Sequence, residues 1–555
     1  MNKTNSYVCG TSDQPLIYQT IGDTFDQAVL QWSEKEAIVV CHQDIRWSYR
    51  QLGEAVDEFA AGLLALDLEP GDRIGIWSPN NVEWVVAQFA TAKAGLILVN
   101  INPAYRKGEL SYTLRKVGCK ALILAREFKS SHYVNMLLDI APAIDSSESG
   151  KLKLPELPEL RSLIVISDEP VDGMFRFSDV AGMAPVDASE QLVARALVSQ
   201  PDDAINIQFT SGTTGLPKGA TLTHFNVLNN GYFVGKAMNF TDQDRLCIPV
   251  PLYHCFGMVM SVLTSVLFGA TMVFPSEAFE PLAVLEALSE EKCTALQGVP
   301  TMFIAELEHP DFASFDMSHL RTGTMAGAPC PIEIMRKVIS KMNMAEVTIA
   351  YGMTETSPVS FQSASDDPLE KRVSTVGRIH PHVQVKIIDE QGAVVPRGIS
   401  GELCTRGYSV MLGYWGDQEQ TDEAIDEAGW MHTGDLAVID DEGYCDIVGR
   451  VKDMIIRGGE NIYPREIEEY LFQHPQIQEV AVFGIPDEKY GEAVVAWIRL
   501  RDGEGIDADG IREYCNEQIA YYKVPKHIFI VDEFPMTVTG KIQKFIMREK
   551  TIAGL

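Results

Sequence analysis

Thr210-Ser211-Gly212-Thr213-Thr214-Gly215-Leu216-Pro217-Lys218-Gly219 follows directly on the apolar run Ile205-Asn206-Ile207-Gln208-Phe209. The pattern predicts a strand that runs into a loop of hydroxyls and glycines ending in one lysine. Glycines let backbone N–H groups converge on one point and form an anion nest. The Ser and Thr hydroxyls add donors, and Lys218 adds a mobile positive charge. Such a loop suits a polyphosphate. It departs from the Walker A pattern G-x4-G-K-[ST], and the chain's Gly-Lys pairs (Gly150-Lys151, Gly235-Lys236, Gly540-Lys541) lack the upstream glycine. The expectation is a nucleotide binder of another kind. Taken alone, the same residues also describe a surface linker.

Around this stretch the chain alternates. Short apolar runs at Arg73–Trp77, Ala121–Ala125, Leu163–Ile166, Ile205–Phe209 and Val347–Tyr351 are separated by helical patterns up to about residue 380. Glu83 to Gly95 reads as an amphipathic helix, and Asp139–Pro155 as a polar, Ser-rich, exposed loop. Strands alternating with helices predict an α/β fold with parallel sheets. From about 380 to 450 the runs Val383–Asp389, Gly401–Arg406 and Leu436–Gly449 carry turn signals at Asp389–Gly392 and Asp441–Gly443. They predict an antiparallel barrel or meander. After Arg450 comes a unit of about 100 residues, enough for a small α+β domain. Its helices are expected at Pro464–Gln473 and Ala508–Gln518, and its strands at Val480–Phe483, Ala493–Arg499 and His527–Val531.

At 555 residues the chain exceeds what one core supports, so two or more domains are expected. Its 46% hydrophobic and 22% charged residues are ordinary for a soluble globular protein. The formal net charge of −31 opposes generic binding to nucleic acid or anionic lipid. Ten scattered cysteines form no C-x-x-C pair, which supports neither a zinc site nor a redox motif and fits a reducing, cytoplasmic setting. Met1 to Gly22 has the pattern of neither a signal nor a transit peptide. Leu246 to Ser276 contains no Asp, Glu, Lys or Arg, but its Pro, Ser, Thr and Gly favour a buried helix plus strand over a membrane span. Peripheral membrane contact and a homodimer both stay open at this level.

Five further stretches carry chemistry. In Tyr351-Gly352-Met353-Thr354-Glu355 an aromatic ring can stack on a base, and Glu355 can hold Mg²⁺, which takes one or two carboxylates beside phosphate oxygens. Upstream, Gly327-Ala328-Pro329 can form a flat backbone wall for a purine, or a plain turn. Asp435, in Thr433-Gly434-Asp435, suits a ribose diol, and Arg450 can donate to the same sugar or to a phosphate. Arg450 to Glu468 reads RVKDMIIRGGENIYPREIE, with Lys452-Asp453 at the apparent boundary and Pro464 fit for a first helical turn. The last, Pro535-Met536-Thr537-Val538-Thr539-Gly540-Lys541, ends in a lysine that composition alone does not single out.

Together these motifs identify a resemblance. From about residue 20 to 548 the chain resembles the adenylate-forming superfamily of acyl-CoA synthetases, adenylation domains and luciferases. The stretches INIQFTSGTTG, PLYHC, AYGMTETSPV, MLGYW, KDMIIRGGENIYP and TGKIQKF carry it. Within that superfamily it is most similar to fatty-acyl-CoA synthetases of the acyl-CoA synthetase family member 2 type. The fold this implies is a large N-terminal domain, residues 1–450, of two α/β subdomains plus a small β-barrel. A small mobile α+β C-terminal domain, 451–555, would turn on a hinge at Lys452. The implied cofactors and co-substrates are ATP, Mg²⁺ and coenzyme A, with a small carboxylic acid as substrate.

The resemblance also implies roles for individual residues. Thr210, Ser211, Gly212, Thr213, Thr214, Gly215 and Lys218 hold the ATP phosphates. Gly327, Ala328, Pro329 and Tyr351 frame adenine, and Gly352 and Met353 belong to the same ATP/AMP site. Thr354 contacts the phosphate region, Glu355 and Thr210 serve the metal, and Asp435 and Arg450 hold the ribose. Lys541 is the catalytic lysine of adenylation, assisted by Lys218. Gly458, Gly459 and Glu460 form the loop of the CoA step. His254 lies near the carboxylate, with Phe256, Gly257 and Met258 in the acyl pocket.

The acid is read from what is missing. An amino-acid-activating relative places an acid just past the position of His254, but no Asp occurs between Asp244 and Asp311. Phe256, Met258, Val259, Met260 and Leu263 suit an apolar acyl group, or simply pack the core. The favoured expectation is an AMP-forming ligase of medium- or long-chain fatty acids. The alternatives are a ligase of aryl or short branched and sulfur-containing acids, and a non-catalytic acyl- or nucleotide-binding relative.

Overall fold

The computed structural model describes residues 4–210, 217–457, 460–487, 489–501, 503, 505–516, 518–537 and 542–554. Two large sheets dominate. One has eight strands, and its central members Arg73–Trp77, Ile97–Asn100, Ala121–Ala125, Ser162–Ile166 and Ala204–Thr210 run parallel. The other has nine, with a parallel block of Glu36–Val40, Arg245–Cys247, Thr271–Phe274, Ala295–Gly298, Thr322–Ala326 and Glu346–Gly352. The five strands expected in this region are all present, Arg73–Trp77 and Ala121–Ala125 with the expected bounds and the other three extended by a residue or two.

Helices between the sheets share one core with both. Ile76 and Leu98 from the first sheet and Ile38, Met272 and Phe274 from the second belong to one cluster with Phe25, Trp84, Phe89 and Val259. Phe25 and Phe89 stack at 4.3 Å between ring centroids, an arrangement that adds to simple burial. The helix Val82–Lys93 starts where Asn81 Oδ1 accepts the Trp84 N–H at 2.8 Å. It is buried on nearly every side rather than on one face. Its position between two sheets explains why the amphipathic reading of 83–95 fails: a helix covered on both sides has no wet stripe to show. The expected loop at 139–155 is mostly exposed, with Ala141, Ile144, Leu152 and Leu154 turned into a core cluster.

The antiparallel unit is a five-stranded sheet. Val383–Ile388, Gly401–Gly407, Met431–Ile439 and Cys445–Arg450 follow as a meander, and Tyr7–Cys9 adds to one edge. From Ile455 on, the strands pair among themselves around Ile477–Asp487 and Gly491–Leu500, with cores of their own. The stretch Arg450 to Glu468 holds the paired strands Ile455–Arg457 and Glu460–Ile462, and the chain closes with the helix Lys544–Gly554.

The uncharged segment 246–276 folds as a π-helix Phe256–Leu263, a short α-helix Thr264–Phe268 and the strand Thr271–Phe274. Ser261 Oγ donates to the Phe256 carbonyl at 2.9 Å, and Thr264 Oγ1 reaches the Val259 carbonyl at 3.4 Å, each five residues back. The wide turn is thus served by its own hydroxyls. Among the described residues, no helix is long and apolar enough to cross a membrane.

Candidate active site

The hairpin of Ala204–Thr210 and Lys218–Thr223 sets Thr210 opposite Lys218. The ends of the phosphate-type loop are therefore pinned to each other; Ser211, Gly212, Thr213, Thr214 and Gly215 lie outside the described residues. Thr210 Oγ1 donates to Glu355 Oε1 at 3.2 Å, and Tyr414 Oη donates to the same oxygen at 2.9 Å. Lys218 Nζ sits 4.9 Å from the centroid of the Tyr414 ring, within cation–π range. Glu355 is buried, on the short turn Thr354–Thr356 after the strand Glu346–Gly352.

The other end of that strand's terminal segment meets the small sheet. Tyr351 Oη donates to Asp435 Oδ2 at 2.6 Å, and Arg450 Nε lies 3.2 Å from Asp435 Oδ1. Asp435 and Arg450 face each other across neighbouring strands. Burial, and then the Asp435 charge, hold the Tyr351 hydroxyl far above its usual range, so it stays protonated and donates. The five residues Tyr351–Glu355 thus join a Tyr–Asp–Arg group to a Thr–Glu–Tyr–Lys group. Gly352 is needed between them: a Cβ there would lie 1.7 Å from the Pro358 carbonyl oxygen. Gly327, after the strand Thr322–Ala326, has φ +85° and is exposed with Pro329 beside half-buried Ala328.

The turn before Asp435 is tied down by a further trio. His432 Nδ1 meets Glu402 Oε2 at 3.2 Å and Cys404 Sγ at 3.6 Å, and the Gly434 N–H donates to Glu402 Oε1 at 3.2 Å. Sequence reading missed this group because its members sit on different strands.

His254 is half-buried with its ring 4.1 Å from that of Tyr253. Phe256 is half-buried, while Gly257 and Met258 are buried. Gly257 is required where the π-helix crosses the Pro251 carbonyl, which a Cβ would approach to 2.4 Å. Met258 Sδ receives Asn100 Nδ2 and Gln208 Nε2, each at 3.5 Å. Asp244, the last carboxylate before His254 in the chain, is buried and paired with Arg321 at 2.6 Å.

Lys452 is exposed in the turn after Arg450, and Glu460 pairs with Arg457; Gly458 and Gly459 lie outside the described residues. So does Lys541. Its flanks are held by a bridge between Met536 and Ile542 and by the Gln543 N–H donating to the Pro535 carbonyl at 2.8 Å. Met536 and Thr537 close one side of a cavity of about 350 Å³ whose other walls include Pro249, Pro251, Tyr253 and Met302.

The profile of the AMP-binding enzyme family matches residues 25–415, and that of the AMP-binding enzyme C-terminal domain matches 466–541. The chain belongs to the AMP-binding enzyme family. This AMP-binding enzyme is 47% identical over 553 residues to the medium-chain acyl-CoA ligase ACSF2, mitochondrial, of Danio rerio, covering 99% of this chain and 91% of that protein. Among solved structures it superposes on the anthranilate CoA ligase AuaEII in complex with anthranoyl-AMP with a TM-score of 0.86, at 27% identity, covering 98% and 99% of the two chains. It also superposes on a fatty acyl CoA synthetase of Mycobacterium tuberculosis with a TM-score of 0.69, at 28% identity, covering 96% and 99%.

The donor set at the Thr–Glu end fits a hard divalent cation. A buried carboxylate beside a hydroxyl offers oxygen ligands, and Mg²⁺ commonly completes its shell with phosphate oxygens and water.

Proposed function

We propose that this chain, an ATP-dependent, AMP-forming acyl-CoA ligase, joins a medium- or long-chain fatty acid to CoA through an acyl-adenylate. One observation carries the reading: Tyr351–Glu355 links a carboxylate–guanidinium pair suited to a ribose with a hydroxyl, carboxylate and lysine suited to metal-bound phosphates. Adenine would lie along Gly327–Pro329 and Tyr351, with its ribose on Asp435 and Arg450. Mg²⁺ on Glu355 and Thr210 would supply positive charge beside the phosphates.

A carboxylate is a weak electrophile, so it first attacks the α-phosphorus. Its oxygen bonds to phosphorus while the bond to the β-phosphate oxygen breaks and pyrophosphate leaves. Lys541 balances charge between carboxylate and α-phosphate, and Lys218 does so on the departing pyrophosphate. The CoA sulfur then bonds to the acyl carbon, the carbon–oxygen bond to AMP breaks, and the thiol proton passes to solvent. The two steps need different partners at one site. We place the boundary after Arg450, so that rotation about Lys452 withdraws Lys541 and brings in the loop of Gly458, Gly459 and Glu460.

The apolar π-helix beside His254 and the engagement of Asp244 by Arg321 support an uncharged acyl tail over an ammonium-bearing acid. The ten free cysteines fit a reducing compartment, and we place the protein in the cytoplasm. The test is CoA-dependent AMP release with saturated acids from acetate to palmitate, plus benzoate and 3-methylthiopropionate. A maximum at medium or long chains is expected. A maximum at benzoate or the short acids moves the enzyme to the aryl or short-acid class, and no release with any acid points to a non-catalytic binder. Lys541→Ala is expected to lower pyrophosphate formation about 100-fold or more yet keep most thioester formation from supplied acyl-AMP; equal loss in both removes the assigned role.

A further inference from the structure

Tyr414 stands on the two-residue strand Gly413–Tyr414, which pairs with the outer strand of the phosphate-type hairpin, Ala220 opposite Tyr414. The side chain is about nine-tenths buried and is held from two directions. Its backbone N–H donates to Thr421 Oγ1 at 2.9 Å, and the Met411 N–H donates to the Glu355 carbonyl at 2.9 Å, so the segment is tied to the turn it touches. From there the hydroxyl reaches Glu355 Oε1 at 2.9 Å and the ring carries Lys218 Nζ at 4.9 Å. No other contact described above joins the carboxylate to the lysine through one side chain.

We infer that Tyr414 is a positioning residue for the adenylation chemistry: its hydroxyl orients the Glu355 carboxylate for the divalent cation, and its ring holds the Lys218 ammonium for the phosphates. This rests on the reading of Glu355 as a metal ligand given above. Two hydroxyl donors on one oxygen, from Thr210 and Tyr414, fix the plane of a carboxylate that one donor leaves free to turn. The ring keeps the ammonium beside the carboxylate without neutralising it, since a cation–π contact leaves all three N–H donors available.

The two functions separate by substitution. Tyr414→Phe removes the hydroxyl and keeps the ring, whereas Tyr414→Leu removes both. The measurement is ATP binding by calorimetry over a Mg²⁺ titration in the absence of acid and CoA, with thermal unfolding recorded for each variant. Tyr414→Phe is expected to raise the Mg²⁺ concentration for half-maximal ATP binding about tenfold, with ATP affinity at saturating Mg²⁺ within about twofold of the parent. Tyr414→Leu is expected to weaken ATP binding at saturating Mg²⁺ as well. A packing role alone would lower the melting temperature and leave the Mg²⁺ dependence of the folded fraction unchanged, which overturns the proposal. Glu355→Gln tells the two possible failures apart: if it shifts the Mg²⁺ dependence and Tyr414→Phe does not, the Tyr414 role is wrong. If Glu355→Gln shifts nothing, the metal reading falls and takes the Tyr414 role with it.

Discussion

Asp435 gathers groups from three strands: its own, that of Arg450 and that of Tyr351. The Arg450 side chain is 56% exposed, so this ion pair adds little to stability and is better placed to meet a ligand. Asp435→Ala is expected to lower kcat/KM for ATP about 10- to 100-fold, the scale of lost charge-assisted hydrogen bonds to a ribose diol. Its effect on kcat/KM for CoA should be much smaller. Steady-state kinetics with each substrate varied separately checks this, and an unaltered ATP response would remove the ribose role. The sequence reading found Asp435 and Arg450 because both sit in recognisable short motifs. It did not find the bond from Tyr351, 84 residues away, since nothing in local spacing encodes which sheet edges meet.

At the scale of elements, the helix His224–Ala237 shows a local rule and a tertiary one acting together. Thr223 caps it, accepting the Asn226 N–H at 3.0 Å, as the Thr-x-x-Asn spacing allows. The first residue, His224, instead accepts the Ile21 N–H through Nδ1 at 3.0 Å and so fastens the helix Ile21–Gln31. Burial lowers the His224 imidazole from 6.5 to about 4. Above pH 6.5 the ring is neutral folded or unfolded, and its contribution is complete. Below it the unfolded chain takes up a proton that the folded chain refuses, so stability falls between about pH 6.5 and 4. His224→Asn, which keeps an acceptor and cannot titrate there, is expected to flatten part of that decline in urea unfolding midpoints. Parallel pH curves for the two proteins would refute the assignment. Element positions were mostly legible because apolar runs bounded by turn residues are local signals. The strands Ile455–Arg457 and Glu460–Ile462 were not, because three residues each are too short to show a period.

For the molecule as a whole, polar contacts among the described residues join the C-terminal unit to the rest. Glu308 accepts from both Arg501 and Gln478, and Arg465 lies 3.1 Å from Asp446, on the other side of the hinge we propose at Lys452. Partly exposed contacts of this kind contribute about 0.2–1 kcal/mol each, enough to bias an orientation and too little to lock it. Glu308→Ala is therefore expected to slow adenylation by only about two- to fivefold, without slowing thioester formation from supplied acyl-AMP. Pyrophosphate exchange measured beside that second half-reaction tests it, and an equal fall in both would show that Glu308 serves the fold rather than the orientation.

The sequence by itself determined the alternating α/β architecture and the order of the chemical motifs. Each depends on residues within a few positions of one another, where backbone geometry and side-chain chemistry act directly. Tertiary structure alone decided that Tyr351 reaches Asp435, that Tyr414 bridges Glu355 and Lys218, and that the helix at 82–93 is buried all round. Those contacts follow from sheet order and from which edge strand joins which hairpin, and sheet order is set by the packing of the whole core.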